Sequence, residues 1–227
     1  MRVYSPKWVE NIEFSSFALQ AGMSILDGLS DFFGYNYSDS FENAPKLDQI
    51  GFPNSGLGAM ENWGLVTYDY AWLYTNQDKM TEFWTSDVAA TVAHELVHQW
   101  TGNLITAEWW DELWVRFISR VLNFINIKKI NEGFAEWGGA FGLQYVDSSV
   151  AWENYLFQYD SDWAYWVDQT RNSRPVVNKQ NNDGFVVDTC EAIDAQFDGI
   201  AYSKGSMLIR MIIDVIGLDA FQAKFEL

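Results

Sequence analysis

Both histidines of this 227-residue chain fall in one five-residue run, His94-Glu95-Leu96-Val97-His98. Residues four apart lie on one face of an α-helix. Two imidazoles stacked that way can grip one zinc ion, with Glu95 beside the metal as a general base. No other feature constrains the fold as strongly, because the run works only on a rigid helix. The plain alternative is a histidine pair held on a helix face by hydrogen bonds alone, and spending the whole histidine supply on one turn argues against it. The flanking sequence can supply the helix. Thr85 or Ser86 is a suitable N-cap, Asp87 favours a first turn, and Gly102 can close the C-terminus. Val88, Val92 and Leu96 recur at helical spacing, which predicts a buried support for the run.

Charge and composition narrow the partners. A net charge of −17 repels nucleic acid and anionic lipid and attracts cations, among them the free amino end of a peptide. A solvated acidic surface accounts for most of these carboxylates. An apolar content of 48% with twelve tryptophans predicts a globular chain that buries its core in one domain. The most apolar run, Met207 to Ile216, is broken by Arg210 and Asp214 and is too short to span a bilayer. Arg2, Lys7 and Glu10 interrupt any secretory leader. Cys190 is the single cysteine, so no intrachain disulfide is expected. Neither it nor the sequon Asn36-Tyr37-Ser38 assigns a compartment.

A catalytic zinc takes three protein ligands and leaves one place open. With no third histidine, the remaining ligand is a carboxylate or, less favourably, Cys190. The His-rich metzincin extension is excluded, because Thr101 and Leu104 stand where it needs glycine and histidine. The carboxylates downstream are Glu108, Asp111, Glu112, Glu132 and Glu136. Glu132 lies in Asn131-Glu132-Gly133-Phe134-Ala135, which can open a second helix capped by Asn131. That position matches the two-His-one-Glu arrangement of thermolysin-type sites.

Further motifs extend the pattern. Upstream stands Gly58-Ala59-Met60-Glu61-Asn62-Trp63-Gly64, and downstream Gly102-Asn103-Leu104, Trp109-Trp110 and Ile200-Ala201-Tyr202-Ser203-Lys204-Gly205. With the zinc run and Asn131 to Ala135, in this order, the chain resembles the gluzincin aminopeptidases of the aminopeptidase N type. The resemblance extends from about Arg2 to the end and corresponds to a catalytic domain spanning 1–227, without the flanking family domains. It implies an α+β, thermolysin-like metallopeptidase fold, a small sheet followed by a mainly helical part. It also implies removal of the first residue from peptides with a free N-terminus. One zinc per chain would sit on His94, His98 and Glu132, and Glu95 would take a proton from water and pass it to the leaving amine. Gly58, Ala59, Met60, Glu61 and Asn62 would line the substrate, with Glu61 pairing with its ammonium group and Gly58 and Ala59 letting its backbone lie close. Tyr202 would donate to the developing oxyanion.

The scaffold reading is consistent with this. Phe17 to Phe33 has helical periodicity and ends at Gly34. Lys46 to Phe52 and Gly64 to Tyr70 read as strands flanking the Gly-Ala-Met-Glu-Asn turn, and an edge strand beside the zinc helix would suit an extended peptide. Trp152 to Trp166 is expected to pack helices. Asn178 to Gly184 reads as a polar loop. Met207 to Ile213 predicts a buried helix ending at Gly217.

The chain departs from the family pattern beside a ligand. Thirty-three residues separate His98 from Glu132, fifteen more than the pattern has. The surplus is Val115 to Lys129, with four basic residues and no acidic one in a chain of 31 acids. Its bias toward Ile, Phe, Asn and Lys fits AT-rich codons, so it reads as a short retained intron. The alternative is a real insertion, and Phe117, Ile118, Val121, Leu122 and Ile125 have the spacing of an amphipathic helix. A truncated or inactive relative that at most binds peptide is therefore the competing functional reading. A thermolysin-like endopeptidase is a further one, weakened by Glu61. Smaller departures are Thr101 in place of an aromatic and Asp69-Tyr70 in place of Arg-Glu. Sequencing transcripts across the region is expected to find forms lacking these forty-five nucleotides; their presence in every transcript rules the intron out.

Overall fold

The computed structural model describes residues 1–7, 9, 12–40, 46–53, 56, 58–106, 114–115, 129–171, 173–176 and 189–224. They form an α+β chain in two compact units, one of residues 1–104 with 138–152, the other of residues 105–137 with 153–225.

In the first unit, β1 (Arg2–Tyr4) precedes the helix α1 (Ser16–Phe33). Ala18, Ala21, Ile25, Leu29, Phe32 and Phe33 form its buried stripe. Gly34, at φ 63°, closes the helix by donating its amide to Asp31 O at 3.3 Å. The sheet continues with β2 (Asp48–Phe52), β3 (Ala59–Met60) and β4 (Leu65–Asp69), in the order β1-β2-β4-β3. The first three strands in that order run parallel, and β3 lies antiparallel on the edge, with Ala59 opposite Tyr68 and Met60 opposite Thr67. Gln49, Val66 and Tyr68 are fully buried. The edge strand expected beside the zinc helix is thus present, although the flanking strands are shorter than their sequence signals.

The helix that carries His94 and is capped at its C-terminus by His98 is α2 (Glu82–Val97). It starts earlier than the sequence signals indicate. Thr81, not Thr85 or Ser86, is the N-cap: its backbone is extended and its Oγ1 accepts from the Trp84 amide at 3.2 Å. Thr85 is inside the helix, its hydroxyl donating to Thr81 O. At the other end the helix stops at Val97, and Gly102, at φ 128°, belongs to the turn that follows.

Farther along are β5 (Trp114–Val115), β6 (Lys129–Ile130) and the helix α3 (Glu132–Gly142). Strands β5 and β6 pair antiparallel, Trp114 opposite Ile130 and Val115 opposite Lys129. The helical spacing noted at 117–125 lies outside the described residues, as does the loop expected over 178–184. Asn131 precedes α3, and its carbonyl takes the first helical hydrogen bond, from Ala135 at 3.0 Å. In the first unit, the later part of α3 packs against α2. A Cβ on Gly138 would lie 2.6 Å from Val97 Cγ2, one on Gly139 2.8 Å from Ala90 O, and one on Gly142 2.6 Å from Ala93 Cβ.

The second unit adds α4 (Trp152–Asp168), α5 (Cys190–Asp194), a π-helical turn over Ile200–Lys204, α6 (Gly205–Ile216) and α7 (Leu218–Gln222). Its core gathers Phe134, Trp137 and Phe221, with ring centroids 5.2 to 6.2 Å apart, alongside Leu156, Ile200, Ile209 and Ile213. Helix α6 ends at Gly217 as its sequence indicates. Only part of the aromatic run on α4 packs. Trp152, Leu156 and Asp160, spaced by four, turn inward, whereas Phe157, Tyr165 and Trp166 are 63%, 75% and 59% exposed. One helix buries one face, and this run carries aromatics on both. Among the described residues no helix is long and apolar enough to cross a membrane.

The α2–α3 contact gives a direct test. In Gly139→Ala the new methyl meets backbone rather than a movable side chain, so urea unfolding is expected to show a loss of about 1–3 kcal/mol. An unchanged midpoint would contradict this packing.

Candidate functional site

Helix α2 brings His94, Glu95 and His98 to one stretch of its surface, with Glu95 and His98 buried and His94 half-buried. The ring of His98 is fixed by its Nδ1, which donates to the Thr101 carbonyl at 3.0 Å. In the neutral ring Nε2 then carries no hydrogen, the tautomer a metal ligand needs. Thr101 thus does this work through its backbone. The Nε2 atoms of His94 and His98 are 3.1 Å apart. Two nitrogens on a tetrahedral zinc, each at about 2.05 Å, stand about 3.3 Å apart, so the pair has the spacing of two ligands.

The third group comes from α3. Glu132 is the first residue of that helix, two turns before Gly139. Ligand atoms of His94, His98 and Glu132 all lie within 4.8 Å of one another. Asn131 Nδ2 donates to Glu132 Oε1 at 3.3 Å, restraining the carboxylate. Of the other carboxylates considered, Glu136 faces Asp160, and Glu108, Asp111 and Glu112 lie outside the described residues. Cys190 is exposed on α5.

The Gly58 to Asn62 run forms the sheet edge. Gly58 adopts φ +78°, and a Cβ there would meet open space, so backbone conformation requires glycine at this position. Its carbonyl accepts from the Asp69 amide at 2.7 Å. Met60 and Asn62 are exposed, and Glu61 is half-buried. The Glu61 carbonyl accepts from Gln99 Nε2 at 3.1 Å and Asn103 Nδ2 at 2.8 Å. Gln99 Nε2 also donates to the Glu95 carbonyl at 3.2 Å, and Asn103 Nδ2 to Gln99 Oε1 at 3.3 Å. The edge that carries Glu61 is therefore laced to the end of the histidine helix. Nothing in the sequence assigns this work to Gln99 or Asn103 beyond their place just after the zinc run. Tyr68, fully buried on β4, has its hydroxyl pushed well above the usual range, first by burial and then by the charge of Glu95.

In the second unit, Tyr202 stands half-buried on the π-helical turn. Asp198 holds the start of that turn: its Oδ1 accepts from the amides of Ile200 and Ala201, both at 3.0 Å, and its carbonyl from the Tyr202 amide at 3.1 Å. Arg174 grips the same carboxylate with both arms, Nη2 to Oδ1 at 2.8 Å and Nε to Oδ2 at 3.2 Å. At the far end, Lys204 Nζ reaches Asp168 at 2.7 Å. The start of α3 abuts this turn, since a Cβ on Gly133 would stand 2.9 Å from both Ala201 O and Gly205 Cα. Hence the residues after Glu132 and before Tyr202 touch. Arg174, Asp198 and Gly133 carry this arrangement without any sequence signal that singles them out.

The chain matches the Peptidase family M1 domain over residues 17–227. It belongs to peptidase family M1. A glutamyl aminopeptidase of Bos taurus is 36% identical over 208 residues, covering 92% of this chain and 19% of that protein. A glutamyl aminopeptidase of Bitis rhinoceros is 34% identical over 228 residues, covering all of this chain and 21% of that protein. A probable M1 family aminopeptidase 1 of Encephalitozoon cuniculi is 33% identical over 230 residues, covering 97% and 23%. The chain thus spans about a fifth of the length of these M1 relatives. The gluzincin aminopeptidase resemblance of its motifs agrees with this membership.

Two substitutions probe how the π-helical turn is held. Asp198→Ala strands two amides and leaves the Arg174 guanidinium only the Gln196 carbonyl, and a loss of about 2 kcal/mol is expected by urea unfolding. Arg174→Ala should cost less, because Asp198 keeps its two amide donors. Equal losses in both variants would show that the amide contacts contribute nothing.

Proposed function

We propose that this chain is the zinc-dependent catalytic core of an aminopeptidase, hydrolysing the first peptide bond of substrates with a free N-terminus. The observation that carries the reading is the meeting of His94, His98 and Glu132, with the outer nitrogen of His98 already committed to a carbonyl. Two imidazoles and one carboxylate suit a single zinc in the thermolysin-like manner and leave a fourth position open. What zinc supplies when bound is Lewis acidity, which acidifies water and polarises a carbonyl.

The chain's own residues account for the rest. Glu95, buried on the same face, accepts the proton of the attacking water and returns it to the leaving amine. Glu61 faces the cationic end of the peptide and makes a free amine the recognised feature. The edge strand β3 offers backbone groups to an extended substrate beside Gly58, Ala59, Met60 and Asn62. Tyr202 donates its hydroxyl to the oxyanion of the tetrahedral intermediate.

The fifteen additional residues before Glu132 need not displace it. We read Val115–Lys129 as an excursion whose two ends meet. The pairing of Trp114 with Ile130 supports this, because it returns the chain beside its point of departure before α3 begins.

Purified chain loaded with zinc is expected to bind about one ion and to release the fluorophore from aminoacyl amides. Glu95→Gln should keep the zinc and lose about 10²–10⁴ in kcat. His98→Ala should lose the zinc itself. An N-acetylated peptide should resist cleavage, and Glu61→Ala should raise KM for the free amine. A folded, metal-free, inactive chain would favour the peptide-binding relative. Equal cleavage of acetylated and free peptides would favour an endopeptidase.

A further inference from the structure

Beneath the π-helical turn lies a buried polar cluster that the proposed chemistry does not use. Asp160 on α4 is 1% exposed, and Ser203 and Ser206 are 2% and 0% exposed. Ser206 Oγ is hydrogen-bonded to Asp160 Oδ2 and also lies 2.9 Å from the Ser203 carbonyl oxygen. Ser206 has one hydroxyl hydrogen for these two contacts. A carbonyl oxygen can only accept, so the two contacts are hydrogen bonds together only when the hydroxyl hydrogen goes to Ser203 O and the carboxyl group supplies the one between Asp160 and Ser206.

We infer that Asp160 is a positioning residue, a neutral acid whose hydrogen bond through Ser206 to the Ser203 carbonyl holds the π-helical turn that presents Tyr202. The inference rests on the aminopeptidase reading for the role of Tyr202, but not for the state of Asp160. Two features of the surroundings agree. The carboxyl is raised well above the usual range, chiefly by burial and next by the like charge of Glu136 on α3. The hydroxyls of Ser206 and Ser203 oppose that shift without being the larger influence. A buried ionised Asp facing another carboxylate would be costly, whereas a neutral acid there can donate.

The geometry also explains why such a tie is useful. Asp198 and Arg174 hold the start of the turn, and Lys204 with Asp168 its end. The Ser203 carbonyl lies immediately after Tyr202. Asp160 acts on that middle, where neither other tie reaches.

The test compares Asp160→Asn, Asp160→Ala and Ser206→Ala. An amide keeps a neutral donor in the place of the acid, so Asp160→Asn should retain slow hydrogen exchange at the 200–206 amides and a kcat within about threefold of the parent. Ser206→Ala and Asp160→Ala should speed that exchange and lower kcat about tenfold to a hundredfold with KM little changed. The infrared spectrum of the parent at neutral pH should contain a carboxylic-acid carbonyl band that Asp160→Asn removes. Absence of that band, or an Asn variant as impaired as Ser206→Ala, overturns the inference. If Asp160→Ala does not fold, the Asn and Ser206 variants still decide it. If the parent hydrolyses no substrate, the aminopeptidase reading fails, while exchange and infrared spectra still report on Asp160.

Discussion

The approach of α3 to α2 is the constraint on which the rest of the site depends. At Gly138, Gly139 and Gly142 the smallest possible side chain leaves room for backbone and side chains of the neighbouring helix. The two helices therefore meet closely at the turns bearing His94 and Val97. Gly133 repeats the device at the other end, where the turn bearing Tyr202 needs the same close approach.

The π-helical turn has its own logic. A π segment closes its hydrogen bonds over five residues rather than four, as the Lys204 amide does on the Gly199 carbonyl at 2.9 Å, and this rare geometry persists where its surroundings hold it. Here the surroundings are ionic at both ends and hydrogen-bonded beneath. Arg174 and Asp198 form a planar two-point clamp, and Lys204 a single-point tie to Asp168. Such a division gives the turn a rigid entry and a softer exit.

Much of the local structure at the candidate site is legible in the chain because its residues are concentrated in short motifs. The histidine run, the Gly-Ala-Met-Glu-Asn run and the α1 and α6 periodicities translate directly into local structure, since each depends on neighbours within one element. The N-cap of α2 differs from its sequence signal for a local reason: Thr81, Thr85 and Ser86 are all competent caps, and the helix takes the earliest. Other features were hidden because their meaning is long-range. Gln99 and Asn103 act on a carbonyl some forty positions upstream, and Asp198 matters because Arg174 arrives from another segment. The aromatics of α4 mislead in the opposite sense. Their number implies burial, but the helix has one inward face, and Asp160 occupies part of it.

The pairing of β5 with β6 bears on how this chain tolerates length. Closing a loop costs free energy that rises only with the logarithm of the number of residues enclosed, about 0.6 kcal/mol for each doubling. Once Trp114 and Ile130 are neighbours, whatever lies between them enters the energetics through that slow term. The path from Ile130 into Glu132 is the same for a short connection as for a long one. Residue count along the chain and the start of the next element are decoupled here, so variation in length can accumulate ahead of Glu132 without being transmitted to α3.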